Sequence, residues 1–192
     1  MRDFFKRNGI LVAAFALPAL LLAGVAASVY FPSRNLAAKF DFVYASCGQS
    51  AGNYYQCGLW LQKRYAVTDG KIAVVPADPA LDADKNGVPD AQEDYAARLF
   101  YHDTLADESR EITLADAQKL QLSGLLASPD GLTVEGQYRG GGDFFPFSSR
   151  SSSYGYYLSK GNVRRRLNIA NAAPYSYDGN FRFLGWVLPG RE

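Results

Sequence analysis

Oxygen-bearing side chains recur at a fixed spacing in residues 82–93, where the chain reads DADKNGVPDAQE. The first, third and fifth side chains of this segment can project inward from one tight turn, and the glycine at its sixth place lets the backbone reverse. A hard cation takes about 6–8 oxygen ligands at about 2.3–2.6 Å, which a loop of this length can supply. Without a cation, the four carboxylates of the segment would repel one another. The spacing therefore predicts a calcium site.

The same twelve residues resemble the calcium loop of EF-hand proteins. With Pro89 at the eighth place, they are similar also to the calcium loops of thrombospondin type 3 repeats. The resemblance is local, because Pro76 and Pro79 forbid the entering helix of a full EF-hand and the chain has no second loop of this kind. It implies that Ca²⁺ is bound by six residues: Asp82, Asp84, Asn86, Val88, Asp90 and Glu93. A solvated acidic loop without metal is the alternative. A bound ion is expected to be structural, because sites of about 10⁻⁴–10⁻³ M stay filled outside cells.

An uncharged segment, residues 10–31, follows the basic residues Arg2, Lys6 and Arg7. A helix of this length, at about 1.5 Å per residue, would cross a hydrocarbon layer of roughly 30 Å and contact membrane lipid. The basic head is expected to stay in the cytoplasm. This scheme divides the chain into a cytoplasmic head (1–9), a transmembrane helix (10–31), a linker (32–38) and an exported domain (39–192). A cleaved signal peptide is the alternative, and it would export the same domain.

The chain has two cysteines, Cys47 and Cys57, both in the predicted exported domain. The nine residues between them include two glycines and an asparagine, so the loop is flexible enough for a disulfide to close it. An oxidising compartment favours this bond, which would contribute about 3 kcal/mol for so short a loop. A catalytic thiol is the alternative, but His102 is the only histidine that could serve as its base.

Charge and motifs exclude several classes of function. Residues 32–192 carry 17 basic and 18 acidic side chains, so non-specific nucleic-acid binding is not expected. The sequence lacks a phosphate-binding glycine motif, a zinc-ligand spacing and a G-x-S-x-G nucleophile motif. A hydrolase acting on a wall polymer or glycan would have to use carboxylates such as Asp103, Glu108 or Glu135.

Periodicity and turn residues predict an α+β domain with an antiparallel sheet. Asp69 and Gly70 mark a hairpin, and further strands are predicted in residues 39–45, 132–138, 154–169 (as a second hairpin) and 181–188. Two short helices are predicted, over residues 90–102 and 114–122. Thr113 and Asp116 give the second helix a capping box. In residues 54–67 the apolar pattern leaves helix and strand both open.

A basic run at residues 164–166 lies close in sequence to several tyrosines. On a strand, Arg164 and Arg166 would share one face. With Tyr154 and Tyr156 they predict a binding patch for a sugar or a phosphate group. The alternative is a solvent-facing edge strand that its charges protect from pairing.

These features together predict a membrane-anchored, calcium-binding structural or interaction protein of the cell envelope. Its localisation would be a single pass through the cell membrane, with the C-terminal domain outside the cytoplasm. A non-enzymatic role is favoured because the chain shows no coherent catalytic set, and the expected partner is an envelope protein or a glycan. An envelope hydrolase and an accessory subunit of a membrane assembly are the alternatives.

Overall fold

The computed structural model describes residues 8, 12, 14–25, 36, 38–47, 54–76, 78–80, 82, 85, 87–89, 95–139, 153–171 and 180–191. The chain divides into two compact units, Met1–Ala37 and Ala38–Glu192. In the first unit, residues 14–25 are helical and their side chains are exposed. The second unit contains all the described strands.

The predicted transmembrane helix over residues 10–31 is wrong. Across the described residues, every helix falls short of the length and apolar character that a membrane crossing requires. The lipid contact expected through residues 10–31 stays a prediction.

The predicted α+β class is also wrong, because the second unit is mostly β-sheet. Its described residues form ten strands and two short helices, in the chain order β1 (Phe42–Cys47), α1 (Tyr54–Arg64), β2 (Tyr65–Thr68), β3 (Lys71–Val74), β4 (Ala97–Asp103), β5 (Glu108–Ile112), α2 (Leu114–Lys119), β6 (Gln121–Ser123), β7 (Thr133–Arg139), β8 (Ser153–Lys160), β9 (Val163–Arg166) and β10 (Phe181–Leu188). The strands make a central sheet of order β5-β4-β1-β10-β6, the hairpin β2-β3 and a three-stranded sheet of order β7-β8-β9. All described strand pairs are antiparallel.

Strand β1 lies in the middle of the central sheet and is buried along its whole length. Val43, Ala45 and Cys47 belong to an apolar cluster on one side of the sheet. Phe42 and Tyr44 project to the other side, where their rings contact further aromatic rings. We call these two sides the helix face and the aromatic face. Because both faces are covered, the sequence of β1 is apolar almost throughout rather than alternating between apolar and polar residues.

The helix face is covered by α1, the hairpin β2-β3 and α2. Cys57 and Leu61 of α1, Ile72 of β3 and Ala117 of α2 are all buried in one cluster with β1. The predicted disulfide is confirmed: Cys47 at the end of β1 is bonded to Cys57, with 6.1 Å between the two Cα atoms. The bond attaches α1 directly to the central strand.

The aromatic face is covered by the three-stranded sheet. The ring of Tyr156 in β8 lies 4.2 Å from the ring of Phe181 in β10. Leu158, two residues further along β8, is fully buried. We call the side of this sheet that carries Tyr156 and Leu158 its inner face. Tyr157 and Arg166, which pair across β8 and β9, lie on its outer face.

Two local predictions are confirmed. Strands β2 and β3 form the expected hairpin, and Asp69 and Gly70 at its turn have φ angles of 51° and 75°. Helix α2 begins after Thr113, whose hydroxyl accepts a hydrogen bond from the Asp116 amide at 3.1 Å. Both structures depend on residues that are neighbours in sequence.

The helix predicted over residues 90–102 is wrong where the structure describes it, since Ala97–Asp103 is strand β4. Consecutive residues of β4 belong to opposite faces: Leu99 joins the cluster on the helix face, whereas Phe100 stacks on Tyr44 of the aromatic face. Tyr95, Leu99 and His102 have the spacing of a helical stripe. Pairing of β4 with β1 and β5 overrides that local pattern.

Candidate ligand-binding groove

A groove of about 390 Å³ lies beside strand β10, between the layers that cover the two faces of the central sheet. Residues 181–184 of β10 form its floor. One wall comes from α1 and β2, with Gln62, Tyr65, Ala66 and Val67. The opposite wall is the inner face of the three-stranded sheet, with Val134, Gly136, Tyr154 and Tyr156. Gly124 and Leu126, which follow β6, border one end.

The wall formed by β2 is held in place by contacts with β6. The amide of Leu122 in β6 donates to the carbonyl of Gly70 at the hairpin turn, at 2.8 Å. Immediately after β6, a Cβ added at Gly124 would lie 3.3 Å from the Cβ of Val67. A glycine therefore lets the chain that leaves β6 pass close to β2 and define the end of the groove.

The opposite wall is built from tyrosine rings that pack on one another. The rings of Tyr154 and Tyr156 are 5.6 Å apart and nearly perpendicular, at 88°. A Cβ added at Gly136 would lie 2.0 Å from the hydroxyl oxygen of Tyr154. Because Gly136 has no side chain, the ring of Tyr154 can lie over its main chain. With Tyr156 against Phe181, the wall and the floor form one continuous aromatic surface.

Polar groups accompany these rings, because the Gln62 amide, three tyrosine hydroxyls and a guanidinium group belong to residues of the described lining. Arg182 is exposed and is the only charged side chain among the described residues that line the groove. Burial raises the pKa of Tyr65, although nearby Arg64 acts in the opposite direction, so this phenol stays protonated at neutral pH. Aromatic side chains and a small number of placed polar side chains are both found in ligand sites of proteins.

The structure separates the residues of the predicted binding patch. Tyr154 and Tyr156 lie on the inner face and line the groove. Arg164 and Arg166 are exposed on the outer face, and an Nη1 group of Arg164 donates to Gln137 Oε1 at 2.7 Å. Among the described residues, the two tyrosines thus face a different environment from the two arginines. Only the tyrosines belong to the groove.

The predicted calcium loop is described only in part. The Gly87 amide donates to Asp82 Oδ2 at 2.8 Å, and Lys85 and Gly87 have φ angles of 59° and 88°. Val88 is also described and is 42 % exposed. The remaining predicted ligands lie outside the described residues: Asp84, Asn86, Asp90 and Glu93. Within the described part of the chain, no group of three or more potential metal ligands occurs, so the calcium site stays a prediction.

A partly buried polar cluster that the sequence analysis missed lies at the entry to β1. The Asp41 carboxylate accepts hydrogen bonds from the Thr104 amide at 2.8 Å, the Tyr101 hydroxyl at 2.6 Å and the Arg191 guanidinium. Arg191 also donates to Asp103 at 2.7 Å. Burial, together with the bond to Asp41, raises the pKa of Tyr101 well above its usual value. The only indication in the sequence is a single acid just before a strongly apolar strand.

His102 and Ser109 are the pair that most resembles a catalytic arrangement. Their Nδ1 and Oγ atoms are 2.9 Å apart, and Nε2 of His102 is 3.4 Å from a carboxylate oxygen of Asp107. The histidine is completely buried, which lowers its pKa, and the Ser109 hydroxyl also contacts the Ala170 amide at 3.3 Å. Because the imidazole is buried, a substrate cannot reach it. The pair instead has a structural role: its contacts join β4 to β5 and to the residues that follow β9.

Two of the carboxylates considered for a hydrolase have structural roles. One oxygen of Asp103 accepts the amides of Leu105 and Ala106, each at 2.9 Å, and this holds its pKa below its usual value. Glu135 accepts hydrogen bonds from the Thr133 hydroxyl and from Nε2 of the Gln137 side chain, both at 3.0 Å. Neither carboxylate lines the groove.

Comparison with known proteins gives no functional relative: no protein-family model, no curated protein and no solved structure matches the chain. Function must therefore be inferred from the described residues themselves. Among them, the groove beside β10 combines volume, half-buried and buried aromatic side chains and a single charge.

Proposed function

We propose that the second unit is an exported, non-enzymatic binding module that holds an extended polymer, a peptide or a glycan chain, in the groove beside β10. The observation that carries the proposal is the composition of the described lining. It contains five aromatic side chains and one guanidinium group, but no carboxylate, imidazole or thiol. Hydrolysis needs groups that transfer protons or attack the substrate. A lining without them suits binding.

Export is supported by the disulfide between Cys47 and Cys57. Such bonds form and persist in oxidising compartments and are rare in the cytosol. We therefore propose that the second unit works outside the cytoplasm, where envelope proteins and glycans are available as ligands.

Calcium binding by residues 82–93 is a second part of the proposal, with a structural role. It is supported by the spacing of the acidic residues and by the hydrogen bond from Gly87 to Asp82, which closes the first half of the loop. The segment connects β3 on the helix face to β4 in the central sheet. A bound ion would stiffen that connection. No step of ligand binding in the groove depends on it.

Screening of the full chain against a random peptide library and a glycan array tests the binding function. Each ligand found should be measured against Tyr154→Ala, which removes a ring from the groove wall. Arg164→Ala is the matched control, because it removes a large side chain from the outer face of the same sheet. We expect Tyr154→Ala to weaken binding at least tenfold and the control to leave it unchanged.

A thermal melt shows whether each variant is folded. If Tyr154→Ala does not fold, Arg182→Ala replaces it, because that exposed side chain lines the same groove. The proposed function is refuted if neither library yields a ligand, or if the ligands found bind both groove variants as tightly as the wild-type chain.

A further inference from the structure

The outer edge of β10 is only partly paired among the described strands. On one side β10 pairs with β1, with registers from Phe42 with Trp186 to Ser46 with Phe181. On the other side its described neighbour is β6, which has three residues and pairs only with residues 186–188 of β10. On this side, therefore, none of the described strands pairs with residues 181–184 of β10. They are the residues that form the floor of the groove.

The direction of the main-chain groups follows from the pairing with β1. The Cys47 amide donates to the Asn180 carbonyl at 3.2 Å, so the main-chain groups of Asn180 point toward β1. In an antiparallel pair, neighbouring residues point alternately toward and away from the partner strand. The N–H and C=O groups of Phe181 and Phe183 accordingly point away from β1, into the groove. Together they offer two donors and two acceptors in the arrangement that a further strand requires.

We propose that the groove binds an extended peptide, which adds to the central sheet as a strand paired with Phe181 and Phe183 of β10. This inference rests on the proposed binding function and names the class of its ligand. Four residues of strand span about 13 Å, at roughly 3.3 Å per residue. The added strand would continue the line of β6 beyond Gly124, and it would lie between the tyrosine wall and β2. Strand addition is an established way for sheet edges to bind peptides.

The two walls predict the side chains of the ligand. Successive side chains of the added strand would point alternately to the aromatic face and to the helix face. Those opposite Phe181 and Phe183 would meet the tyrosine wall and should be apolar. The side chain between them would lie opposite Arg182, the only charge in the described lining, and should be acidic. The preferred ligand is therefore an acidic residue between two apolar ones in extended conformation.

A peptide fits these observations better than a glycan does. Sugars bind by lying flat on exposed ring faces, whereas Tyr156 is only 7 % exposed and its ring packs on Phe181. The main-chain donors and acceptors of Phe181 and Phe183 need partners with the regular spacing that a second polypeptide main chain provides. Sheet edges of this kind are also the sites at which other chains most readily pair.

The test uses the capped peptide Thr-Val-Glu-Val-Thr and versions of it methylated at one amide nitrogen at a time. A methylated nitrogen cannot donate a hydrogen bond. If the peptide pairs as a strand, methylation at alternate residues should weaken binding at least tenfold, and methylation at the residues between should change it less than threefold.

Hydrogen exchange at the amides of Phe181 and Phe183, followed by NMR on the full chain, should slow when peptide is added.

Reversing the charge at Arg182 is a test that does not depend on the methylation series. Arg182→Glu should weaken binding of the peptide with glutamate and strengthen binding of the same peptide with lysine at that place. Arg164→Glu on the outer face is the matched control and should leave both affinities unchanged.

Several results would overturn the strand pairing and leave the groove function intact. They are glycan binding that depends on Tyr154 without any peptide binding, peptide binding with no alternation in the methylation series, and exchange at Phe181 and Phe183 that peptide does not slow. A dimer that forms with increasing concentration and protects these two amides would also overturn it, because the occupant would then be a second copy of the chain. Loss of all groove-dependent ligands would instead refute the proposed function.

Discussion

Replacing Asp41 with asparagine should remove a large part of the stability of the second unit. Asp41 is 8 % exposed. Its carboxylate accepts from Tyr101, from Thr104 and from the Arg191 guanidinium, so every described partner is a donor. Asparagine keeps the shape but lacks the charge, and its amide group presents donors where the site requires acceptors. Arg191 would keep only Asp103 as an ion-pair partner.

The size of the loss follows from the burial of the pair. Removing one partner of a buried ion pair costs about 3–5 kcal/mol, and a hydrogen bond to a charged group is worth about 1.5–3 kcal/mol. The Arg191 side chain is 32 % exposed and keeps its contact with Asp103, so water and the second carboxylate compensate in part. We therefore expect Asp41→Asn to lower the free energy of unfolding by about 2–3 kcal/mol.

Urea denaturation followed by tryptophan fluorescence measures this difference. The matched control is Glu111→Gln, which makes the same chemical change in the ion pair with Arg98 on the surface, where the two side chains are 43 % and 47 % exposed. That change should cost less than about 1 kcal/mol. Equal losses for the two variants, or a loss below about 1 kcal/mol for Asp41→Asn, would refute the reasoning from burial.

Three further predictions concern the second unit. Replacing Cys47 and Cys57 with serine should lower the free energy of unfolding by about 3 kcal/mol, and reductant should then have no additional effect on the urea midpoint. Because burial lowers the pKa of His102 below the unfolded value of 6.5, the unfolded chain binds a proton first as pH falls. Stability should accordingly decrease from about pH 6.5 down through the folded-state pKa, and His102→Gln should flatten that slope in a urea series against pH. A calcium chelator should lower the melting temperature of the wild-type chain but not that of Asp82→Ala, and an unchanged wild-type midpoint would contradict a structural calcium ion.

The parts of the fold that could be predicted from sequence are those set by neighbouring residues. The turn at Asp69 and Gly70 needs only two residues with positive φ, and the cap of α2 needs only Thr113 and Asp116. The disulfide joins residues ten positions apart in a flexible loop. In each case the local chemistry already specifies the geometry.

Strand β4 could not be predicted because its environment is distant in sequence. The spacing of Leu99 and His102 suits a helix, and only the neighbouring strands β1 and β5 make an extended conformation preferable. The pair of Asp41 and Arg191 is separated by 150 positions. No local pattern connects two such residues.

The groove could not be predicted either, because the residues that line it are also distant in sequence. It exists only because β2, β8 and β10 come together around the end of a three-residue strand, β6. The sequence did single out Tyr154 and Tyr156 as binding residues, since tyrosines clustered near a hairpin are conspicuous. It grouped them with Arg164 and Arg166, because the inner and outer faces of a strand are distinguished only once its neighbours are known.

Mapping of backbone amide chemical shifts in the full chain, with a ligand selected from either library, tests the central claim most directly. Binding in the groove predicts that the largest changes occur at Tyr65, Tyr154 and Phe183, which line the groove from three different elements. Changes centred on Arg164 and the rest of the outer face, with the groove residues unaffected, would contradict it.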